Sequence, residues 1–432
     1  MLNRSISRWE MVLLFINGVI GAGIFGLPSK IFKEIGVSSI AALVICACAV
    51  FVIVMCFAEV SSRFVKTGGP YVYALAAFGK LPAFLAGWLL LLTRFITYAA
   101  LVNLLVTYLS VFSDWFTLPS SRIISILCIS SFLAWINHIG VKNSTRVSNF
   151  FTIAKVLTLL LFIMVGIFYI EPANFEIKQT PGFASFSSTV LLLIFAFGGF
   201  ESVLVNTGEV KNPAKSLPFA LLLATLFIAL IYILILVVSI GTLPSLASSD
   251  KPLAEAAGLF MGKTGAMIIA TGALLSVTGT LNSIMMVGSR LPFAFSEEKQ
   301  FPQVFSYIHP GYKTPTWSLV LFAAVTILIS VSNTFIYAAT ISAITRVMTY
   351  GIVCISLVIL RKKNAGQTGF FKIPFGNYFA IAGILIAVWL LTASKLRELR
   401  DIAIALGVGL VIYALVELHK KYKISRSRIN RL

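Results

Sequence analysis

Long apolar stretches separated by short polar loops are the feature that most limits what this chain can fold into. An apolar stretch of about 18 residues or more can cross the hydrocarbon core of a bilayer as a helix. Hydrophobic residues occupy 59% of the 432 positions, and the period-two alternation of a membrane β-barrel is absent. The sequence therefore predicts an all-α polytopic membrane protein, and it excludes a water-soluble globular one.

Twelve membrane spans are predicted, with both termini on the cytoplasmic side of the cell membrane. The spans cover about residues 10–34, 38–62, 82–111, 120–140, 148–170, 187–206, 217–241, 264–289, 316–333, 335–360, 377–395 and 402–419. Most of the 34 Lys and Arg residues fall on the segments that this topology makes cytoplasmic, in agreement with the positive-inside rule. The net charge of +19 therefore reflects topology and calls for no nucleic acid. The basic tail at 420–432 is expected to rest on anionic membrane lipids.

The sixth span is interrupted at its centre, where Phe195 to Glu201 reads FAFGGFE. The adjacent Gly198 and Gly199 each cost a helix about 1 kcal/mol relative to alanine, and the carboxylate of Glu201 lies at a depth where charge is expensive. One interpretation is a helix broken at mid-membrane, with its freed backbone groups directed at a ligand. The other is a glycine seam for helix packing beside a buried, protonated glutamate.

The first span carries a similar interruption, around Gly21 and Gly23. Spans 1–5 and 6–10 also cover segments of similar length, 9–170 and 186–361, which leaves the peripheral spans at 377–419 outside the pair. Broken helices at corresponding positions of two halves point to an inverted repeat with a binding site between the halves. The sequence therefore favours the ligand-binding interpretation of both breaks.

The two breaks predict what kind of ligand would bind between them. Free N–H groups at the start of the second half of span 1 suit a carboxylate. Free carbonyl groups at the end of the first half of span 6 suit an ammonium. A ligand that has both groups close together is an α-amino acid. The predicted substrate-binding residues are Ile20, Gly21, Ala22, Gly23, Ile24, Phe195, Ala196, Phe197, Gly198 and Gly199.

Several motifs resemble those of the amino acid–polyamine–organocation (APC) transporters. They are VIGAGIFGLPS in span 1, FAFGGFESVLVNTGEVKNP from span 6 onward, FVKTGGPYVY at 64–73, and Ser289-Arg290, Phe301-Pro302 and Thr314-Pro315 between spans 8 and 9. The resemblance covers about residues 9–361 and is specific to the superfamily, not to a substrate. It implies a leucine-transporter-type fold, with a 5+5 inverted repeat, discontinuous helices 1 and 6 and two peripheral helices. It also implies transport by alternating access.

Lys155 in span 5 is one of the ionisable residues predicted at membrane depth. The resemblance implies that its ammonium occupies the place of a sodium ion found in sodium-coupled relatives. It would then donate to the carbonyl end of the first half of span 1, near Asn17 to Ile20, with the span-8 hydroxyl of Ser276 or Thr280 as a further partner. The alternative is a lysine that extends to the cytoplasmic edge of the membrane.

Glu201 and Phe195 each have two open interpretations. Glu201 either binds a proton during the cycle or braces the second half of span 6. Phe195 corresponds to the position where the resemblance implies an aromatic gate over the substrate. In a segment rich in phenylalanine it could equally be a packing residue.

Arginines in two other spans remain ambiguous at this level. Arg94 in span 3 either contacts substrate or pairs with a carboxylate such as Glu201, and Arg346 in span 10 is similarly open. Glu59 and Arg63, one turn apart, are expected to form a structural ion pair. These buried cations weigh against a dibasic substrate without excluding it.

The function expected from these features is sodium-independent secondary transport of amino acids, coupled to protons or working by exchange. The alternatives are a transporter of polyamines or other organic amines, and a membrane amino-acid sensor without transport. An enzyme is not expected, because no nucleophile–base pair or metal-ligand set is readable. The five cysteines lie in apolar runs as core residues, and the three histidines are far apart in the sequence. No cofactor, metal or obligatory protein partner is expected.

Overall fold

The fold is described from a computed structural model of the chain. The structure describes residues 6–64, 69–140, 144–177, 180–204, 210–332, 334–363 and 371–429, with the backbone alone described at 144–150 and 421–429. Among these residues the only β pairing is a single bridge between Ile6 and Val210. Parts of two predicted motifs, at 65–68 and 205–209, lie outside the described residues, as do residues 430–432 of the basic tail and the side chains of 421–429.

Fifteen α-helices account for most of the described chain. They are α1 (Arg8–Val19), α2 (Ala22–Ile35), α3 (Ser39–Ser62), α4 (Pro70–Phe78), α5 (Lys80–Leu109), α6 (Pro119–Ile139), α7 (Ser144–Gly166), α8 (Phe183–Phe197), α9 (Phe200–Val203), α10 (Pro213–Thr242), α11 (Pro252–Glu297), α12 (Thr316–Ser332), α13 (Phe335–Lys362), α14 (Gly376–Thr392) and α15 (Leu396–Ile429).

These helices provide for the twelve predicted spans. Within the described residues, nine helical segments are long and apolar enough to cross a membrane, and α12 and α14 are shorter apolar helices. The segment Ala22–Ser62, counted once among the nine, turns at Gly36, where φ is 56°, and so supplies two spans. The all-α polytopic fold is thus confirmed. The division into repeats at 9–170 and 186–361 stays a prediction.

Both predicted helix breaks are present. In the first span, α1 ends at Val19, Ile20 is extended, and α2 begins at Ala22 after Gly21. In the sixth span, α8 ends at Phe197, and α9 begins at Phe200 after Gly198 and Gly199. Each break is therefore two residues long. The prediction of discontinuous helices 1 and 6 is confirmed.

The helices differ in how far they are buried. Helix α5 is buried along most of its length and packs against α11, α12 and α13, whereas α15 is largely exposed at the periphery. The expectation that all five cysteines are core residues is wrong for two of them. Cys48 and Cys128 are exposed on the outer faces of their helices, where an apolar thiol suits lipid as well as it suits a protein core.

Two helical features were not predicted from the sequence. Helix α4 (Pro70–Phe78) lies in the loop between spans 2 and 3, and its nine residues are too few for a span. Helix α11 begins at Pro252, well before the predicted start of span 8. It bends sharply at Gly262, where φ is 65°, a backbone conformation that glycine adopts without a steric penalty.

Candidate functional site

A cavity of about 320 Å³ lies between the two helix breaks. This volume is at the lower end of the range that small-molecule sites occupy, roughly 300–1,000 Å³. Of the predicted site residues, the cavity is lined by Gly21, Ala22, Gly23, Phe195, Gly198, Gly199, Arg94 and Thr280. From the breaks it extends past Leu14 and Met11 to Ile6 and Arg290, on the side where the chain begins.

Four predicted substrate-binding residues do not line this cavity: Ile20, Ile24, Ala196 and Phe197. All four are buried in the packing around the breaks. A break directs only some of its side chains and backbone groups toward the gap, because successive residues point in different directions. Ile20 and Ala196 instead offer their carbonyl oxygens to neighbouring helices.

Close packing joins the two breaks to each other. A Cβ atom added at Gly23 would lie 2.5 Å from the Cα atom of Ala196, so the start of α2 sits directly on the end of α8. Gly199 has φ of 126° and lies against the carbonyl oxygen of Gly18. The packing-seam interpretation therefore holds for these glycines together with the cavity-lining one.

Lys155 is fully buried, and its ammonium hydrogen-bonds to the end of α1. Nζ donates to the carbonyl oxygen of Ile20 at 2.8 Å and to that of Asn17 at 3.2 Å. The predicted contact is confirmed, and the alternative of a lysine extended to the membrane edge is wrong. These carbonyls are left without intrahelical partners where α1 stops, which is why they attract a cation.

Ser276 and Thr280 take a different place from the one predicted. Ser276 donates to the carbonyl oxygen of Ile20 at 3.4 Å, and Thr280 donates to the carbonyl oxygen of Ser276 at 2.9 Å. Ser276 thus shares an acceptor with Lys155, where the sequence predicted a bond to the ammonium itself. Two donors meet at one carbonyl because its oxygen has two lone pairs.

The carbonyl end of α8 is less free than the sequence predicted. The carbonyl oxygen of Phe195 accepts from the N–H of Gly198 at 3.3 Å. The carbonyl oxygen of Ala196 accepts from the hydroxyl of Tyr232 at 3.1 Å. Each oxygen keeps one lone pair for a ligand, so an ammonium at this break would share its acceptors with the protein.

Glu201 lies behind the wall of the cavity in a buried ionic cluster. Its carboxylate accepts from Arg346, from the N–H of Gly199 at 2.9 Å and from the hydroxyl of Tyr350 at 3.3 Å. Arg94 stands further away, with Nη2 3.5 Å from the Glu201 carboxylate. The pairing predicted for Arg94 is therefore made mainly by Arg346.

Hydroxyl groups hold the Arg346 guanidinium in place. Nη2 donates to Thr97 at 3.1 Å and Nε donates to Ser342 at 3.3 Å, and these two hydroxyls bond to each other at 2.7 Å. Thr97 lines the cavity but was not predicted. Its spacing from Arg94, three residues on the same helix, is the signal that could have identified it.

Phe195 marks the end of the cavity away from the N-terminal side. Its ring packs edge-on against Phe335 at a centroid distance of 6.0 Å. Gly26 fits closely against Phe335 and Leu104, and Tyr108 donates to the carbonyl oxygen of Phe25 at 2.8 Å. Tight aromatic packing therefore closes this side of the site.

A second buried ionic cluster ties α3 to α13. Arg63 donates to Glu59 at 2.6 Å, which confirms the predicted pair, and Arg361 of α13 forms a further ion pair with the same carboxylate. The N–H of Ile373 completes the cluster at 2.9 Å from Glu59. This cluster does not line the cavity, and its bonds join α3 to α13, so its role is structural.

The described residues contain no group of three or more side chains that could hold a metal ion. The structure nevertheless brings two of the histidines together, with the rings of His138 and His309 5.3 Å apart. The Nδ1 atom of His309 accepts from the backbone N–H groups of Gly311 and Tyr312. That pattern is typical of a loop-stabilising histidine.

Comparison with known proteins gives one family and several relatives. The sequence profile of a family described as amino acid permease matches residues 6–413. A methylthioribose transporter from Bacillus subtilis is 28% identical over 96% of this chain and 93% of its own length. A branched-chain amino acid permease from the same organism is 27% identical over 96% and 93%. Its serine/threonine exchanger is 26% identical over 95% of both chains.

Proposed function

The chain belongs to the amino acid permease family of the APC superfamily, and from this premise we propose that it carries amino acids across the cell membrane by alternating access without sodium. Amino-acid transport by a multi-pass membrane protein follows from the family. Sodium independence, the coupling mode and the cytoplasmic position of both termini are the proposed parts. We also propose that the protein acts as a transporter and not as an enzyme.

The single observation that carries sodium independence is the position of Lys155. A sodium ion at the end of α1 would need several oxygen ligands, and the carbonyl oxygens of Asn17 and Ile20 are among those that this end offers. The ammonium of Lys155 is hydrogen-bonded to both. A fixed cation at this point supplies the positive charge permanently and repels a second one.

Glu201 is proposed as a brace for α9 and not as the proton-binding group. Both of its carboxylate oxygens accept hydrogen bonds, from Arg346 on one side and from Gly199 and Tyr350 on the other. These donors match the ionised carboxylate, and proton binding would break at least one of the bonds. The arrangement favours exchange of one amino acid for another over proton coupling through this residue.

The alternatives to an amino-acid substrate have less support. A polyamine or other organic amine would meet arginine side chains in the cavity, and like charges repel each other. The relatives include an exchanger for serine and threonine and a permease for branched-chain amino acids, so the family carries substrates of different side-chain chemistry. A sensor without transport would need only a binding site, whereas the cavity here extends from the helix breaks to Ile6 and Arg290.

The test is uptake of labelled amino acids by proteoliposomes that contain the purified full-length protein. Vesicles are loaded with unlabelled amino acids, and uptake is compared in sodium and in choline buffers, with and without a pH gradient. We expect equal uptake in both buffers and a strong dependence on the internal amino acid. Uptake that requires sodium would contradict the role of Lys155, and binding without uptake would favour the sensor.

A further inference from the structure

The charge of the cavity wall is one-sided. Three arginines, Arg94, Arg290 and Arg346, line the cavity, and no Asp or Glu among the described residues lines it. Among the described residues, Glu201 is the carboxylate closest to these arginines, and it is paired with Arg346 and does not line the cavity. The surface that a ligand meets is therefore positive, which a neutral zwitterion would not need.

The buried ionic cluster does not balance its own charge. Two guanidinium groups, Arg94 and Arg346, face a single carboxylate, that of Glu201. Arg346 uses the carboxylate in a hydrogen-bonded pair and has two further acceptors, Thr97 and Ser342. Among the described residues of this cluster, one buried positive charge therefore remains without a counter-charge, and burying such a charge is costly.

Arg94 carries this excess. It is 1% exposed, and its Nε and Nη2 atoms have no hydrogen-bond partner among the described residues. Its nearest carboxylate oxygen, on Glu201, stands at 3.5 Å from Nη2. A guanidinium offers five N–H donors in a planar fork that matches a carboxylate. A buried guanidinium with unused donors at a cavity wall is suited to an anionic ligand group.

From these observations we propose that the substrate is an α-amino acid with a carboxylate side chain, held through that side chain by Arg94. The inference rests on the proposed function, because the two helix breaks are taken to bind the α-carboxylate and the α-ammonium. The guanidinium of Arg346 lies directly against Gly198 of the second break. The positive region thus begins beside the backbone site, within reach of a short acidic side chain.

The pair of breaks already balances a zwitterion, so the excess charge discriminates between side chains. A lysine-like or polyamine ligand would bring a second cation toward Arg94. A neutral ligand would leave the unused donors of Arg94 desolvated and unpaired, which is unfavourable. A side-chain carboxylate supplies the missing charge and the missing acceptors together.

The experiment compares ligands that have the same shape and differ in charge. Thermal stabilisation and proteoliposome exchange of the full-length protein are measured with L-glutamate against L-glutamine, and with L-aspartate against L-asparagine. We expect one acidic member to bind roughly tenfold or more tightly than its amide. L-Leucine and L-lysine complete the panel. Preference for an amide, leucine or lysine would overturn the inference and leave amino-acid transport standing, whereas no binding by any amino acid would overturn the proposed function itself.

The Arg94→Gln variant tests which residue is responsible. It leaves the Arg346–Glu201 pair balanced, so we expect the preference for the acid over the amide to fall by roughly tenfold, chiefly through weaker binding of the acid. Arg94→Lys, which keeps the charge, should retain part of the preference, and the exposed Arg400→Gln should retain all of it. An unchanged ratio in Arg94→Gln would overturn the assignment. If that variant does not fold, the ratios of the natural protein still decide the substrate class.

Discussion

The ammonium of Lys155 on α7 donates to the carbonyl oxygen of Ile20 at 2.8 Å, at the point where the first span is broken. A second bond, to Asn17 at 3.2 Å, makes the lysine a link between α7 and the end of α1. Ser276, which lies on α11, donates to the same carbonyl oxygen of Ile20. Three helices therefore meet at one carbonyl group.

Replacement of Lys155 by alanine is expected to slow transport by roughly tenfold or more, with a smaller effect on folding. The buried carbonyls of Asn17 and Ile20 would lose a donor, which costs about 1–3 kcal/mol. The larger effect on transport is expected because the link must form and break as the first span moves. Exchange in proteoliposomes and thermal unfolding in detergent give the two measurements. Lys263→Ala, at an exposed lysine, is the matched control, and a Lys155→Ala protein that exchanges at the natural rate would contradict the mechanism.

Substitutions at the first break should separate binding from packing. A Cβ added at Gly21 would lie 3.6 Å from Thr280, an ordinary contact, whereas one at Gly23 would lie 2.5 Å from the backbone of Ala196. We expect Gly21→Ala to keep the unfolding temperature and weaken substrate binding, because the methyl group enters the cavity. Gly23→Ala should lower stability by about 1–3 kcal/mol through overpacking. Equal binding by Gly21→Ala and the natural protein would remove Gly21 from the substrate site.

The bulkier variants Gly23→Val and Gly199→Val are expected to abolish binding through loss of the local fold. Gly199 lies against the carbonyl oxygen of Gly18 and has a φ of 126°, which a β-branched residue rarely adopts. Ligand-independent yield and unfolding temperature, measured beside binding, identify this cause. If either variant takes up substrate within about twofold of the natural protein at equal expression, the close packing at that position does not require a glycine.

The Glu201–Arg346 pair is expected to show strong coupling in a double-mutant cycle. Glu201→Gln leaves two buried guanidinium groups without their carboxylate, at a cost of about 3–5 kcal/mol, whereas Arg346→Gln leaves Glu201 with the more distant Arg94 and should cost less. The double variant removes both charges, so it should be less destabilised than the sum of the single variants by about 0.5–3 kcal/mol. Denaturant unfolding in detergent measures each corner of the cycle. Additive single effects would mean that the two side chains are energetically independent.

Glu59→Gln is expected to destabilise the protein without a change in substrate preference. The carboxylate accepts from Arg63, Arg361 and the N–H of Ile373 in a buried cluster away from the cavity, so its loss leaves buried donors unpaired at about 3–5 kcal/mol. Arg400→Gln breaks an exposed pair with Asp401 and should leave the unfolding free energy almost unchanged, because solvent screens such a pair. Comparable unfolding of the two variants would show that the Glu59 cluster carries no special stability.

Much of the fold and part of the site could be predicted from the sequence, because those features depend on neighbours along the chain. Span lengths follow from runs of apolar residues, and a helix break follows from glycines inside such a run, as at Gly198 and Gly199. The family motifs added the contact between Lys155 and the end of α1. Local chemistry and chain order were sufficient for the spans and the breaks, whereas the Lys155 contact was implied only by the resemblance to the family.

Tertiary structure decided which of the buried charges face each other and which face the cavity. The sequence did not distinguish Arg94 from Arg346. The packing of α5 and α13 around α9 pairs Arg346 with Glu201, and it leaves two donor atoms of Arg94 without a hydrogen-bond partner among the described residues. The energy of an ion pair depends on distance and burial, which are set by helices far apart in the chain. Sequence therefore determined that charge is present at membrane depth, and the three-dimensional packing determined which charge is left for a ligand.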